Sequence, residues 1–385
     1  MEIKTIALIV IALIIGIAIG YTPIAFMPKT LETITIPVYE TVTYRETVVT
    51  TVTQVQQTTV SLSWPRKVVD ALGREITFDA PPQRVVSTIP SITENLFALG
   101  VGTKVIGVDQ YSNYPPEVLD LINKGSIAVV GKPWTLDIEK IAALKPDIVF
   151  MCRGVKPQET QFAPKLEEMG IKTFFLTCDT AKDQYDIYKD LRLLGQIFGV
   201  EQKAEEVISN IDKKISSIIN KLVNVSRPRV LQLAGPPSWG LWSAGGDTFI
   251  GWLIKTAGGS NIASTYSGWP QLSYEYILSK DPEVIIITAH DVDAKSVYKE
   301  VSSSPLVNTT AWKKGRVYLL TGEADDVLSR PGPRIAEALE ILAKIIHPEI
   351  FGEITRSDVT NIVSMSFSLI DVSGFINIEI KAVVV

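Results

Sequence analysis

Histidine and cysteine are both scarce in this chain of 385 residues, which holds only two of each. The histidines are His290 and His347, and the cysteines are Cys152 and Cys178. Zinc sites need three or four closely spaced Cys and His ligands, so a Cys/His zinc cluster is excluded and a multi-histidine metal centre is not expected. The same scarcity leaves no convincing Ser/His/Asp or Cys/His constellation. An enzyme is therefore a weaker interpretation than a binding protein.

The chain also lacks an excess of positive charge. Its 37 lysine and arginine residues stand against 42 aspartate and glutamate residues, which gives a formal net charge of −5. A protein that tracks a phosphate backbone needs a basic surface, so nucleic-acid binding is not expected as the main task. With 46% hydrophobic and 21% charged residues, the composition is that of a globular protein.

Charge is absent from most of the first 28 residues. Residues 5–20 carry no charged side chain, and the apolar character continues to Met27. About 20 apolar residues cross a bilayer, so this segment predicts an N-terminal transmembrane anchor. A cleaved signal sequence is the alternative, because Ala18 and Gly20 suit the small-residue rule for cleavage. No cysteine follows, so a lipid-anchored form is not expected, and both alternatives place the remaining chain outside the cytoplasm.

Glycine is missing from residues 29–63, which are rich in threonine, valine and glutamine. The alternation of threonine and valine is compatible with a β-strand, and the composition also fits an extended stalk. We favour the stalk, because an anchor must be spaced from the domain that follows it.

From residue 64 onward, short β-branched or aromatic runs alternate with helical stretches. Alternating strands and helices predict a mainly parallel sheet that is covered on both faces. The pattern restarts near residue 229, so two α/β lobes are expected. Strands are predicted at 84–89, 104–109, 147–152, 172–178, 229–234, 283–289 and 316–321.

One long helix is predicted between the lobes, over Gln202–Leu222. Apolar residues recur there at three- and four-residue spacing, which gives a single buried stripe. At 1.5 Å per residue the helix is a rod of about 30 Å, so we expect small opening motions rather than a wide clamshell. The predicted division of the chain is an anchor or signal sequence at 1–28, a stalk at 29–63, an N-terminal lobe at 64–200, an interlobe helix at 201–224, a C-terminal lobe at 225–350 and an extension of unknown role at 351–385.

Several runs of the globular part resemble a known family. These runs are RVVSTIPSITENLFALGVGTKVIGVDQYSNYPPEV, LDIEKIAALKPDIVF, GWPQLSYEYILSKDPEVIII and RPGPRIAEALEIL. In this order they are similar to the helical-backbone class of ABC-transporter substrate-binding proteins, over roughly residues 66–348. The resemblance implies two Rossmann-like α/β lobes joined by one long α-helix, with the ligand cleft between the lobes.

The same resemblance implies a function. It describes an extracytoplasmic substrate-binding protein without a reaction or cofactor of its own, whose partner is a permease dimer with a cytoplasmic ATPase. Four pieces look most like the cobalamin-binding members: YSNYPPE, the Arg153-Gly154 step, WPQLS and the final Arg330…Pro333-Arg334 group. The expected cargo is therefore a corrinoid such as cobalamin, and a ferric siderophore or haem is the alternative. An anchored sensor ectodomain is a further alternative from another class.

Aromatic residues concentrate in the loops that follow the predicted strands. Loops at the carboxyl ends of parallel strands form the cleft in such folds, and aromatic rings suit a flat, mostly apolar macrocycle. Core packing is the alternative for each ring. The resemblance carries Trp134 and Trp269 over as ring-contacting positions, whereas the spacing at Trp239 and Trp242 departs from the family and leaves open which one faces the ligand. The aromatic candidates are Tyr111, Tyr114, Trp134, Trp239, Trp242 and Trp269.

Three polar residues complete the predicted ligand site. Arg153 and Arg330 are able to meet amides or carboxylates of a ligand, and the alternative is an arginine tied to a neighbouring acid or carbonyl. His290 ends a predicted strand and should lie near the cleft. An imidazole there is able to ligate a metal in the cargo, but a polar cleft residue is the favoured interpretation.

Two glutamates are candidates for docking to the permease. In the family one surface glutamate of each lobe meets arginines of the permease, and Glu94 and Glu275 match that motif. Glu94 has an alternative role, because Ser91-x-x-Glu94 is a capping-box pattern. Glu275 is expected in the first turn of a helix, where the helix dipole favours a carboxylate.

The two cysteines end consecutive predicted strands. Neighbouring parallel strands lie about 4.8 Å apart, within the Cα separation that a disulfide needs, so a Cys152–Cys178 bridge is predicted outside the cytoplasm. Two free buried thiols are the alternative. Strand-like sequence continues beyond Phe351, where an extra β-element or a poorly ordered segment is expected.

Overall fold

Two five-stranded, largely parallel β-sheets organise residues 63–364, the part of the chain that this computed structural model describes. The predicted anchor at 1–28 and the stalk, except for its last residue, lie outside the described residues, as does the chain from 365 onward. Within residues 63–364, no helix is both long and apolar enough to cross a bilayer.

The first lobe is built around a wholly parallel sheet. Its strands are β1 (Arg66–Val69), β2 (Glu75–Phe78), β3 (Val85–Ser87), β4 (Val105–Val108), β5 (Ala128–Val129), β6 (Gly131–Lys132), β7 (Thr135–Leu136), β8 (Ile148–Cys152) and β9 (Thr173–Leu176). The sheet has the order β5-β4-β3-β8-β9, while β1 with β2 and β6 with β7 form antiparallel pairs. The helices of this lobe are α1 (Pro90–Ala98), α2 (Glu117–Asn123), α3 (Ile138–Ala143), α4 (Ala163–Glu168) and α5 (Gln184–Phe198).

A 21-residue helix, α6 (Glu201–Lys221), leads to the second lobe. The strands that follow are β10 (Arg229–Leu233), β11 (Ser260–Asn261), β12 (Val284–Thr288), β13 (Val317–Leu320) and β14 (Val359–Asn361). They form a sheet of order β11-β10-β12-β13-β14, in which the β13–β14 pair alone is antiparallel. The helices here are α7 (Phe249–Thr256), α8 (Tyr274–Lys280), α9 (Ala294–Ser302), α10 (Thr310–Lys313), α11 (Gly322–Ser329), α12 (Ile335–Ile346) and α13 (Pro348–Phe351). The predicted fold of two α/β lobes with one long helix between them is confirmed.

Both sheets are buried on their two faces, as the sequences of their strands predict. All five residues of β8 and all five of β12 are buried. Runs of valine and isoleucine suit such strands, because β-branched side chains pack well on a pleated surface that is covered on both sides. Helices on each face therefore leave the carboxyl ends of the strands as the accessible edge of each lobe.

The long helix packs its apolar stripe into a core that extends into both lobes. Ile211 and Ile215 on α6 belong to one buried cluster with Phe150 of the first sheet and Leu339 of α12. A buried cluster that is continuous across both lobes resists a large rotation of one lobe against the other, because close-packed interiors transmit strain rather than absorb it. This packing supports the expectation of small opening motions.

The predicted disulfide is wrong, since Cys152 and Cys178 are both free and buried. The sequence pattern placed Cys178 at the end of a strand, but β9 ends at Leu176, and Leu176 is the residue that pairs with Cys152. Cys178 instead begins a 3₁₀ turn with a positive φ of 42°. Burial raises the pKa of both thiols, so they stay protonated at neutral pH.

Candidate ligand-binding site

Exposed aromatic side chains mark the loops at the carboxyl ends of the strands. Trp134 is 53% exposed in the turn between β6 and β7, and Trp269 is 46% exposed ahead of α8. Tyr111, Trp239 and Trp242 are also exposed. Core packing therefore does not explain these five rings. Large apolar side chains left in water on loops are typical of a binding surface.

Two of the rings in the first lobe lie against each other. The ring centroids of Tyr111 and Trp134 are 5.6 Å apart, with an angle of 32° between the planes. The β6–β7 turn that carries Trp134 is tied to the Tyr111 loop, because the Gln110 amide donates to the Gly131 carbonyl at 2.8 Å. The two rings form one apolar wall of the first lobe.

A buried glutamine holds that wall in place. Gln158 lies in a π-helical turn, Gln158–Phe162, and its side-chain oxygen accepts hydrogen bonds from the Thr88 hydroxyl and the Cys152 amide, both at 2.8 Å. Its side-chain nitrogen donates to the Pro133 carbonyl at 2.9 Å, next to Trp134. The residue thus joins two strand ends to the tryptophan turn. No sequence pattern marks Gln158, because Thr88 and Pro133 lie 70 and 25 residues away from it in the chain.

The second lobe uses another buried glutamine in the same way. The side-chain oxygen of Gln232 on β10 accepts from the Ala244 amide at 3.0 Å, and its nitrogen donates to the Thr288 hydroxyl at 3.1 Å. Asn261 donates to the Ala244 carbonyl at 2.8 Å. These bonds fix the end of the loop that presents Trp242, which also pairs with Gln271 through an isolated β-bridge.

A cavity of about 450 Å³ lies between loops of the two lobes. Trp269 and Asp247 line it from the second lobe, and Asp179 and Lys182 line it from the first. The Ser267 hydroxyl and the Gly268 amide donate to Asp247 at 2.6 and 2.7 Å, and these bonds lower the pKa of its carboxyl. The cavity therefore combines an aromatic wall with an ionised carboxylate and an exposed lysine.

A second cavity, of about 470 Å³, also has walls from both lobes. Tyr111 and Tyr114 line it from the first lobe, and His290 and Arg330 line it from the second. With Trp269 in the first cavity, five of the nine predicted ligand residues thus line these two cavities. The other four line neither cavity: Trp134, Arg153, Trp239 and Trp242.

The predicted surface position of Glu94 is wrong. This side chain is only 2% exposed, and two arginines of the second lobe chelate its carboxylate. Arg334 donates through Nε to Oε2 at 2.9 Å and through Nη2 to Oε1 at 2.8 Å, while Arg330 donates through Nη1 to Oε1 at 3.1 Å. The capping-box alternative is wrong too, because α1 has Ile89 at its N-cap and no side chain caps it.

Arg330 is tied to protein groups rather than left open for a ligand. Its side chain is 10% exposed and forms ion pairs with two acids, Asp326 and Glu94. Its Nη2 lies 2.7 Å from Oδ1 of Asp326. It also donates to the Asn113 side-chain oxygen at 2.7 Å and the Tyr111 carbonyl at 3.1 Å. These contacts correspond to the alternative in which the arginine pairs with neighbouring acids and carbonyls.

The remaining polar candidates occupy different surroundings. The His290 side chain is 56% exposed, and its Nε2 lies 3.1 Å from Asp325 and 3.4 Å from Asp326. This pairing within the second lobe agrees with a polar cleft residue. The Tyr114 ring lies against the guanidinium of Arg334, whose Cζ is 3.8 Å from the centroid of the ring. Arg153 is exposed directly after β8.

An internal repeat relates the two lobes and reveals an acid that the sequence analysis missed. Residues 136–146 read LDIEKIAALKP, and residues 272–282 read LSYEYILSKDP. The repeat aligns Glu275 with Glu139, not with Glu94. Both glutamates are exposed and occupy the second position of a helix, α3 or α8. The repeated Leu-x-x-Glu-x-Ile spacing was the signal available in the sequence.

The repeat extends to the hydrogen bonds that begin each helix. Asp137 caps α3 by accepting from the Lys140 amide at 2.9 Å, and Ser273 caps α8 by accepting from the Tyr276 amide at 3.2 Å. The backbone amide of Glu275 and the Ser273 hydroxyl lower the pKa of the Glu275 carboxyl. Helices that follow strands begin at the carboxyl edge of a sheet, so both acids lie on the rim of their lobe.

Two parallel sheets linked through one helix, with exposed rings at the strand ends, define a two-lobe binding protein for a small and partly apolar molecule. The chain belongs to the periplasmic binding protein family, whose model matches residues 85–324, and within it to the class III substrate-binding proteins of ABC transporters. Such proteins work with permease and ATPase partners and are not enzymes.

Curated relatives and solved structures agree with this assignment. The chain is 30% identical over 293 residues to an uncharacterised ABC-transporter substrate-binding lipoprotein, YvrC, of Bacillus subtilis, covering 75% of this chain and 88% of the relative. It is 30% identical over 292 residues to a cobalamin-binding protein of Halobacterium salinarum, covering 74% and 75%. The crystal structure of a periplasmic haem-binding protein from Pseudomonas aeruginosa is similar with a TM-score of 0.63 and 25% identity, covering 72% of this chain and 97% of that one.

Proposed function

We propose that this protein captures a corrinoid such as cobalamin outside the cytoplasm and delivers it to an ABC permease. The observation that carries the proposal is the set of exposed aromatic rings on loops of both lobes, Tyr111, Trp134 and Trp269 among them. A corrin ring offers a broad apolar face with amide groups at its edge, which exposed rings and a few polar side chains accommodate. The cobalamin-binding relative supports the same ligand.

The charge of the two cavities favours a neutral ligand over an anionic one. In the first cavity Asp179 and Asp247 face a single lysine, Lys182. In the second, three acids face two arginines, and Glu94 already binds both arginines. Haem propionates and anionic ferric chelates need free guanidinium or ammonium groups, which these linings supply poorly.

A haem or ferric siderophore receptor is the second candidate. The similarity to the haem-binding structure favours it, and Arg153 is an exposed cation at the end of β8 that an acidic ligand group is able to reach. Equilibrium titration of the full chain in detergent with cyanocobalamin tests the first candidate. Saturable binding with one site per chain supports it, and the absence of cyanocobalamin binding favours the second candidate.

We further propose that Glu139 and Glu275 are the docking acids for permease arginines. The internal repeat, the exposure of both carboxylates and their shared position at a helix start support this pair. Two such acids, one on each lobe, are able to engage a permease dimer through two matched contacts.

Attachment to the membrane through residues 1–28 is part of the proposal, with residues 29–63 as the spacer. The uncharged run at 5–20 supports it. Fractionation of cells followed by N-terminal sequencing of the mature protein tests it. An intact N-terminus in the membrane fraction indicates an anchor, and a new N-terminus near residue 20 indicates a cleaved signal sequence.

A further inference from the structure

The contact between Glu94 and its two arginines crosses from one lobe to the other. Glu94 belongs to α1 of the first lobe, Arg330 follows α11, and Arg334 precedes α12 of the second lobe. Their positions in the chain differ by 236 and 240 residues. Both guanidiniums and the carboxylate are almost completely removed from water.

Two further side chains of the first lobe also contact these residues of the second lobe. Asn113 accepts from Arg330 at 2.7 Å and donates to Asp326 at 2.8 Å, so its amide bridges an arginine and an acid of the second lobe. The Tyr114 ring stacks against the guanidinium of Arg334. These contacts lie along the wall of the second cavity, next to the cleft.

Separation of the lobes at this point has a high electrostatic cost. Opening the lobes there breaks the charge-assisted hydrogen bonds of Glu94 to both arginines together, and a small opening leaves these charges unpaired before water can solvate them. The bidentate geometry of Arg334 adds directional restraint, since two parallel hydrogen bonds hold only over a narrow range of positions.

We propose that Glu94 is an interlobe positioning residue that holds the two lobes at a fixed separation through Arg330 and Arg334, and so sets the width of the cleft. It differs from the proposed docking acids, which are exposed, and from the exposed aromatic rings that are proposed to contact the ligand. The proposal concerns the ligand-free protein, so it does not depend on which ligand the cleft binds.

The distance between the lobes, measured by double electron–electron resonance, tests the proposal. Spin labels are placed at Lys165→Cys on α4 and Lys299→Cys on α9, both exposed sites, in the full chain in detergent. The native Cys152 and Cys178 are buried and stay unlabelled under native conditions. We expect Glu94→Gln to broaden the distance distribution and shift it to longer distances, and Glu168→Gln, an exposed control on α4, to leave it unchanged.

Arg330→Lys provides a second variant, because lysine keeps the charge but cannot reproduce the branched contacts to Glu94, Asn113 and Asp326. It is expected to broaden the distribution less than Glu94→Gln. Unchanged distributions in folded Glu94→Gln protein, even with a lower melting temperature, would overturn the proposal and leave Glu94 with a merely stabilising role. If Glu94→Gln does not fold, Arg330→Lys decides alone: a wild-type distribution overturns the proposal, and a broader one supports it.

Discussion

Glu94 and Glu139 are both glutamates on helices of the first lobe, but their surroundings give them different chemistry. Glu94 is buried between two arginines of the other lobe, so its charge is already neutralised within the protein. Glu139 is exposed in the first turn of α3, and its carboxylate makes no hydrogen bond or ion pair with any of residues 63–364. A permease arginine is therefore able to reach Glu139 but not Glu94.

Asp109 is a buried acid at the end of β4, where its ionised form is disfavoured. Loss of solvation raises its pKa from 3.8 to about 6, although the Ser112 hydroxyl, the Tyr111 amide and Arg330 oppose the rise. A raised pKa means that the folded protein binds a proton more tightly than the unfolded chain does. The contribution of this group is therefore stabilising at low pH and is lost as pH rises through about 6.

We predict that Asp109→Asn removes this part of the pH dependence of stability. The asparagine stays neutral, and its amide is able to donate to Ser112, whose hydroxyl then turns to Thr93 at 2.7 Å. Between pH 4 and pH 7 the wild type should lose about 2 kcal/mol more unfolding free energy than the variant does. Urea unfolding of both proteins across this range measures the difference. Equal slopes against pH would show that Asp109 titrates normally.

A second prediction at the residue scale concerns the exposed tryptophans and ligand affinity. Trp134→Ala and Trp269→Ala should each weaken cyanocobalamin binding by about 1–3 kcal/mol, because each removes one of the exposed rings that we propose to contact the corrin ring. Met169→Ala is the control. Met169 is an exposed apolar residue between α4 and β9, near the amino ends of the strands rather than the carboxyl ends where the tryptophan loops lie. Titration calorimetry measures all three. Affinities equal to the control would place the ligand elsewhere.

At the scale of elements, the paired helix starts of α3 and α8 show how one short sequence serves both lobes. Each has a leucine before its cap, a capping side chain, a glutamate at the second helical position and a proline after the helix. The residue before that proline has a positive φ in both, 48° at Lys145 and 43° at Asp281. The repeated geometry presents the two carboxylates in the same way.

We predict that the double variant Glu139→Gln, Glu275→Gln loses transport but keeps its ligand affinity. Exposed ion pairs contribute little alone, whereas charge pairs desolvated in an interface contribute strongly to affinity. Uptake of labelled cyanocobalamin in cells with the cognate permease, beside calorimetry and the melting temperature of the purified protein, separates these effects.

The single variant Glu168→Gln is the matched control, because it removes another exposed carboxylate of the first lobe outside the repeat. Uptake should be normal in this control. Normal uptake in the double variant as well would show that the two acids of the repeat serve only their own helices.

Local sequence patterns predicted most strands and helices. The features that these patterns missed depend on contacts between residues that are distant in the chain. The strands of the two sheets and the helix α6 follow from β-branched runs and from apolar spacing, both of which are local signals. No local signal marks the end of β9 at Leu176. The turn at Cys178 depends on Asp190, whose carboxylate accepts hydrogen bonds from the Thr177 and Cys178 amides. The burial of Glu94 depends on arginines more than 230 residues away.

At the scale of the whole molecule, the two lobes share one core and one buried charge network. Apolar contacts through α6 link them on one side, and Glu94 with Arg330 and Arg334 links them beside the cleft. Two separate links restrict hinge motion more than either alone, because a rotation that spares one disrupts the other. The cleft is thus largely preformed, which reduces the free energy spent on closing around a ligand.

The choice of ligand is tested most directly by calorimetric competition on the full chain in detergent. Cyanocobalamin, haem and an anionic ferric catecholate siderophore are compared at one pH and one salt concentration. We predict micromolar or tighter binding of cyanocobalamin, at least about tenfold tighter than either anionic ligand, because the arginines beside the cleft are already paired with acids. Tight binding of haem or the ferric chelate, together with no measurable binding of cyanocobalamin, would contradict the proposed function.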